Sequence, residues 1–264
     1  MVKGLYTAFT GMVNEEKRLD ILANNLANAN TVGYKKEGST SQAFRDMLAY
    51  RIKDVTTPTH VGRIGAVNLG VKLGETYTDY SQGSFQVTDK KSDVAISGNG
   101  FFAISFTNKQ GVTSIKYTRD GAFTVDNDGY FRTVDGDYLL DRAGAMGSNP
   151  NSRVRIDPTQ DYTISANGNV TQNGVVVAQL GVVDFANYDF LAKYGENMYE
   201  LVDGGQIIAA TGTVEQGILE MSNINVVDEM VNMIAIQRAY ETGQKMIQTE
   251  DSTLDKAVNE VGRV

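Results

Sequence analysis

Two stretches of seven-residue apolar periodicity, one at each end of the chain, constrain this sequence more than anything between them. Near the start, Leu5, Met12, Leu19 and Leu26 recur every seventh residue. Ala8, Phe9, Val13, Leu22 and Ala23 widen that stripe, and Glu15, Glu16, Lys17, Arg18 and Asp20 fall largely off it. The pattern predicts an amphipathic helix with heptad character from about Leu5 to Asn28. A helix of ~24 residues is a rod of about 36 Å. Asn28, Asn30 and Gly33 break it. Near the finish, Met233, Tyr240, Ile247, Leu254 and Val261 again recur at seven, flanked by Met230, Ile234, Ile236, Ala257 and Val258. Asn225 is placed to cap this second helix, with Asp228 three residues on as in a capping box.

Helices of this length are marginal alone and draw most of their stability from packing. Five large stripe residues on one helix are worth on the order of 10 kcal/mol of burial before ordering costs. That rivals the stability of a whole domain, so the stripes need partners. One reading packs them on the rest of the chain as ordinary core helices. The other pairs them with each other and with helices of neighbouring subunits. Matching stripes at both termini favour the second, because heterologous contacts that do not close build filaments.

Between the helices, from roughly Gly70 to Met221, the pattern changes to β. Asp120-Gly121, Asp128-Gly129, Asp135-Gly136, Asn167-Gly168 and Asn173-Gly174 are two-residue hairpin signals, in which both central residues need positive φ. Short apolar runs lie between them, such as Phe101-Phe102-Ala103-Ile104 and Val175-Val176-Val177. With 27 glycines and only 3 prolines, the composition suits many tight turns rather than a disordered linker. Residues 34–69 read less clearly. Ser41 to Ile52 is a candidate short helix through Phe44, Met47 and Leu48, and Val55 to Asn68 reads as loop. The expected fold class is α+β: terminal heptad helices, forming a coiled-coil pair, flank a central antiparallel β-rich domain. The expected domains are a discontinuous helical one (1–32 and 225–264), an extended connecting segment (33–72) and a β-rich one (73–224).

Composition narrows function mainly by exclusion. A net charge of −8 with no basic cluster argues against nucleic acid or an anionic membrane surface as partner. No apolar run approaches the ~20 residues that span a bilayer. The absence of cysteine removes disulfides, thiolate metal sites and cysteine nucleophiles. Met1-Val2-Lys3-Gly4-Leu5-Tyr6-Thr7 lacks the pattern of a secretory signal peptide.

No catalytic, metal or cofactor residue is assigned. Gly98-Asn99-Gly100-Phe101-Phe102-Ala103 fits the dinucleotide fingerprint formally, but an aromatic, β-rich run follows where a helix must begin. It reads as a turn entering a strand. Asp126-Asn127-Asp128-Gly129 fails the EF-hand spacing and reads as a hairpin turn. His60 is the single histidine, in a polar stretch, with no second histidine for a metal pair and no GxSxG elbow in the chain. A hydrolase with paired carboxylates survives only by default, since no motif singles out such a pair.

The segment Ala23-Asn24-Asn25-Leu26-Ala27-Asn28-Ala29-Asn30-Thr31-Val32-Gly33-Tyr34 resembles the N-terminal signature of bacterial flagellar rod and hook proteins. Gly217-Ile218-Leu219-Glu220-Met221-Ser222-Asn223-Ile224-Asn225-Val226-Val227 and the run from Met230 to Glu241 resemble that family's C-terminal signature. Ser81-Gln82-Gly83, Asp93-Val94-Ala95-Ile96 and Tyr117-Thr118-Arg119-Asp120-Gly121 are also similar to it. The length suits a rod member better than a hook member, whose outer domains are larger. The loosely matched stretch Arg51 to Tyr80 resembles the distal-rod members, with a proximal-rod or hook-like paralogue as the alternative. A β-domain wall-binding module anchored by its helices is a further alternative.

The resemblance implies a non-enzymatic axial subunit whose paired terminal helices build a tube. It implies self-association, contacts with other rod and hook subunits, and transient contact with the flagellar type III export apparatus. It implies a place in the basal body beyond the cytoplasmic membrane. The signature residues it marks are Asn24, Asn25, Leu26, Asn28, Gly33, Tyr34, Ser222, Asn223 and Asn225. The amides of Asn24, Asn25 and Asn28 are expected to bond the backbone of neighbouring helices.

Overall fold

A computed structural model describes residues 2–50, 63–147 and 149–261. Helix α1 spans Val2–Ala27, a short α2 spans Arg142–Gly147, and α3 spans Val226–Lys256, continued by a π-helical turn Ala257–Val261. Asn225 caps α3 as expected, its side chain accepting from Val227 N at 3.1 Å. The chain divides into two compact units. One comprises residues 1–27, 37–79 and 225–264, and the other comprises residues 28–36 and 80–224.

In the first unit α1 packs against α3. Gly4 faces Glu250, Met12 faces Gly243, and Asn25 reaches Glu229, so the two helices run antiparallel. Between Val226 and Asn259, the buried or half-buried positions are Glu229, Met233, Ile236, Gly243, Ile247, Glu250, Leu254 and Ala257. Tyr240, at 40% exposure, fills the gap in that series, and the spacing then alternates four and three. The seven-residue stripe read from sequence therefore catches one of the two rows. Ile236, expected to flank the stripe, is the most buried apolar residue of α3, while Met230, Ile234 and Val258 are exposed. Gly243 stands in the second row because Met12 occupies the space a side chain would need.

Four strands complete this unit: β1 (Glu37–Ala43), β2 (Met47–Tyr50), β3 (Arg63–Val67) and β4 (Val71–Thr78). β1 pairs antiparallel with β4 across a bulge at Ser39/Ser41, and β2 pairs antiparallel with β3. α1 packs on β1 and β4. The expected short helix at Ser41 to Ile52 is overturned for its described residues, which lie in β1, β2 and the connection between them. Phe44 N donates to Gly70 O, and Asn68 Nδ2 donates to Phe44 O at 2.9 Å. These partners are remote in sequence and absorb backbone groups that a local helix would have paired. The loop expected at Val55 to Asn68 falls partly on residues 51–62, which with His60 lie outside the described residues; its later part holds β3.

The second unit is antiparallel β. Its largest sheet is centred on β7 (Phe101–Thr107), preceded by β5 (Phe85–Val87) and β6 (Val94–Ser97) and followed by its hairpin partner β8 (Thr113–Thr118). Phe102 and Ile104 point into one core with Val94, Ile96, Phe123 and Phe131. Phe101 and Ala103 point into another with Tyr117, Val183, Phe185 and Tyr199. Burial on both faces is why this strand reads as an unbroken apolar run. It also places the GxGxxA match at the start of a strand, not a helix.

The Asx-Gly turns divide by geometry. Asn173 (φ 51°) and Gly174 (φ 79°) form the two-residue turn expected. At Asp128-Gly129, Asp135-Gly136 and Asn167-Gly168 only the glycine has positive φ, and each loop is closed by two backbone bonds of one pattern, such as Asp126 N to Tyr130 O and Gly129 N to Asp126 O. These are three-residue loops with a bulge. Asp120-Gly121 is not a hairpin turn. A side chain at Gly121 would overlap Val94 O, so the glycine permits close backbone approach.

Candidate functional site

The signature residues fall into two neighbourhoods, one in each unit. In the helical unit Asn25 is fully buried. Its Nδ2 donates to Glu37 O at 2.8 Å while its Oδ1 accepts from Glu37 N at 3.0 Å. The amide thus imitates a strand neighbour and pins the start of β1 to the end of α1. The same Nδ2 lies 3.5 Å from Glu229 Oε2 on α3. Leu26 is half-buried on α1 and Asn24 is exposed.

The second neighbourhood joins the segment after α1 to the segment before α3. Asn28 accepts from Thr31 Oγ1 at 3.1 Å, closing the turn that ends the first segment's helical run. Within the chain, the side-chain amide of Asn25 thus bonds the Glu37 backbone and that of Asn28 the Thr31 hydroxyl. Gly33 (φ 69°) donates its N–H to Glu220 O at 2.8 Å, and a side chain there would overlap the Arg119–Asp120 peptide. Tyr34 is fully buried under Lys193, whose Nζ sits 4.3 Å above the ring and 3.3 Å from the hydroxyl. Asn223 Oδ1 accepts from Lys36 N at 2.8 Å while its Nδ2 donates to Ser81 O at 3.2 Å. Ser222 is buried beside it in sequence, whereas Asn225, the α3 cap, belongs to the helical unit.

At the centre lies a buried ionic group that sequence reading missed. Glu220 Oε1 accepts from Lys35 Nζ at 2.6 Å and from Gly83 N at 2.9 Å, and its Oε2 accepts from Arg119 Nη1 at 3.0 Å. Lys35 Nζ also donates to Ser81 O at 2.7 Å, and Arg119 Nη2 donates to Gly98 O at 2.8 Å. Each residue lies in or beside a signature segment. For Glu220 the available signal was a charge embedded in the apolar run Ile218-Leu219-Glu220-Met221. Next to Arg119, Asp120 accepts from Ala122 N at 2.9 Å and Asn197 Nδ2 at 3.1 Å, yet burial pushes its carboxyl up to about 6.

The stripe residues lie where the helices meet or beside that seam. Leu5, Met12, Leu19 and Leu26 are half-buried on α1, and Met233, Ile247 and Leu254 are half-buried on α3. Tyr240 is more exposed, and Val261 lies in the terminal π turn. Glu15, Glu16, Leu19, Ile236, Tyr240 and Glu241 line a groove of about 470 Å³ between the helices. Outside the seam, α3 exposes Val226, Val227, Met230, Val231 and Ile234, and α1 exposes Tyr6 and Phe9. Among the described residues no group of three or more His, Cys, Asp or Glu side chains is placed to hold a metal, and no helix is long and apolar enough to cross a membrane.

Three family descriptions match successive parts of the chain. Residues 5–35 match flagella basal body rod proteins, residues 95–172 the flagellar hook protein FlgE/F/G D1 domain, and residues 215–260 the flagellar basal body rod FlgEFG C-terminal region. The flagellar basal-body rod protein FlgG of Bacillus subtilis is 35% identical, the match covering 98% of this chain and 99% of the relative. The flagellar hook-basal body complex protein FlhO of the same organism is 32% identical over the full length of both. The basal-body rod protein FlgF of Caulobacter vibrioides is 30% identical, again over both full lengths.

The chain belongs to the flagellar basal-body rod protein family, and is a structural subunit of the rod in the flagellar basal body. Within the family it is most like the distal rod proteins called FlgG.

Proposed function

We propose that α1 and α3 form a coiled-coil pair that packs against the same pair in neighbouring subunits, building a helical tube that carries torque from motor to hook. The observation that carries this reading is the apolar surface left on α3. Its seam with α1 is filled by two rows that together keep a four-three rhythm, while Val226, Val227, Met230, Val231 and Ile234 stay exposed. Contiguous exposed apolar surface on a folded chain marks an interaction site. Packed helices then supply stiffness, because dense interiors deform little.

In this reading residues 1–32 and 225–264 form the tube-building part, 33–72 connects, and 73–224 is the outer β domain. Leu5, Met12, Leu19, Leu26, Met233, Tyr240, Ile247, Leu254 and Val261 carry assembly. The partners are further copies of the chain and other rod and hook subunits. The subunit reaches its place beyond the cytoplasmic membrane through the flagellar type III export apparatus. Its role is mechanical and not enzymatic. The test is Ile247→Asp and Leu19→Asp in the full chain: both abolish polymer formation by electron microscopy and sedimentation while the far-UV spectrum of the β unit is retained. Polymers and motility surviving either change would remove the basis for the reading.

A further inference from the structure

Two exposed apolar features of the helical unit lie at opposite ends of the α1–α3 pair. The first is the α3 row Val227, Met230, Val231 and Ile234, at spacings of three and four along the first two turns. Glu229, in the middle of that row's span, is packed at the level of Asn25, the C-terminal end of α1. The second is a pocket of about 320 Å³ lined by Tyr6, Phe44, Arg45, Met47 and Leu69. It sits by the first turns of α1, where Thr10 Oγ1 donates to Leu69 O at 3.3 Å. Tyr6 and Met47 are each at least half exposed, and Phe9 extends the same apolar surface one turn along α1. The nineteen residues from Tyr6 to Asn25 put row and pocket about 28 Å apart along the helix axis.

The charges beside the two features are complementary. Asp228 is exposed in the first turn of α3, adjoining the row, and Arg45 is exposed at the pocket's rim. Asp46, next to Arg45 in sequence, has one oxygen already engaged by Asn68 Nδ2 at 3.1 Å. A patch at one end of a molecule that fits a pocket at the other makes a heterologous contact, which propagates instead of closing.

We infer that the α3 row of one subunit docks into the Tyr6–Phe44–Met47–Leu69 pocket of a second copy of this chain, with Asp228 against Arg45, head to tail along the helix axis. This rests on the reading of the chain as a self-assembling subunit and assigns one of its contacts. It also gives the connecting strands a purpose, since Phe44, Met47 and Leu69 make a socket on α1 that the helix alone would not have.

The chain has no cysteine, so disulfide trapping reads the contact without background. Disulfides need Cα atoms within about 7 Å, which the ~28 Å axial separation denies to positions 47 and 230 of one molecule. The full-length double variant Met47→Cys/Met230→Cys, oxidised under polymerising conditions, is expected to give a ladder of covalent dimers, trimers and higher species. The two single variants are expected to cross-link when mixed and not when alone. Arg45→Glu should reduce cross-linking at least tenfold, and Arg45→Glu with Asp228→Arg should restore it. Polymers that form without this cross-link would overturn the contact and leave the self-assembly reading intact. A product that stops at dimer would overturn the head-to-tail arrangement. Failure of the unaltered chain to polymerise under any condition would overturn the self-assembly reading, and this contact with it.

Discussion

Lys35 Nζ and Glu220 Oε1 lie 2.6 Å apart with both side chains about 1% exposed, although 185 residues separate them in sequence. Arg119 completes the group on the other carboxylate oxygen. The chain segments that follow α1 and precede α3 are thus locked to one another inside the β unit. A charge this deeply buried is tolerable only when paired, and removing one partner strands the rest.

Glu220→Gln leaves two cations without a counter-charge, so it should destabilise the chain by about 3–5 kcal/mol. Urea unfolding followed by far-UV circular dichroism measures this, the chain having no tryptophan for fluorescence. A loss under ~1 kcal/mol would mean that the group is solvated in the native state.

Gly33→Ala should cost more than about 2 kcal/mol, since it combines a φ of 69° with overlap of the Arg119–Asp120 backbone. The same unfolding titration reads it. Because the clash is with backbone and not with a flexible side chain, no rotamer change relieves it.

Asp120 should make stability fall as pH rises. Its carboxyl is raised by burial from 3.8 to about 6, so the native state holds the proton more tightly than the unfolded chain does. That stabilisation is complete below pH 3.8 and is lost as pH climbs through about 6. Asp120→Asn keeps an acceptor for Ala122 N and removes the charge. It should therefore gain on the order of 1–3 kcal/mol over the natural chain at pH 7 and lose that advantage near pH 4. Unfolding free energies of both proteins across pH 4–7 check the sign.

Asn25→Ala should expose the first backbone pair of β1 without disturbing the β unit. Loss of two bonds to the half-buried Glu37 backbone costs about 2–3 kcal/mol. Hydrogen exchange at the Glu37 amide should accelerate on the order of 100-fold, while amides of Phe101–Thr107 keep their protection. Equal acceleration at both places would mean that Asn25 supports global rather than local stability.

The two long helices were legible because a seven-residue period is written into consecutive residues, and Asn225 signalled its own cap. The β character of the middle was legible from turn dipeptides, but their geometry was not. Only Asn173-Gly174 takes positive φ at both positions, whereas Asp120-Gly121 answers to Val94 O, a neighbour no local pattern reveals. The second row of the helix seam was missed because Glu229, Gly243 and Glu250 do not look apolar. They belong there because α1 approaches closely. The end of β1 and β2 carry the helical spacing of Phe44, Met47 and Leu48, while the partners that extend these strands come from residues 63–78.

The sequence alone determined what depends on neighbours along the chain: the two amphipathic helices, the hairpin-rich middle, and the signature segments. Tertiary structure decided what depends on contacts across it. It chose which face of α3 meets α1, turned Asn25 into a surrogate strand for Glu37, and gathered Lys35, Arg119 and Glu220 around one buried carboxylate. Local propensities act over three or four residues, whereas burial and charge pairing are settled only when distant segments have arrived together.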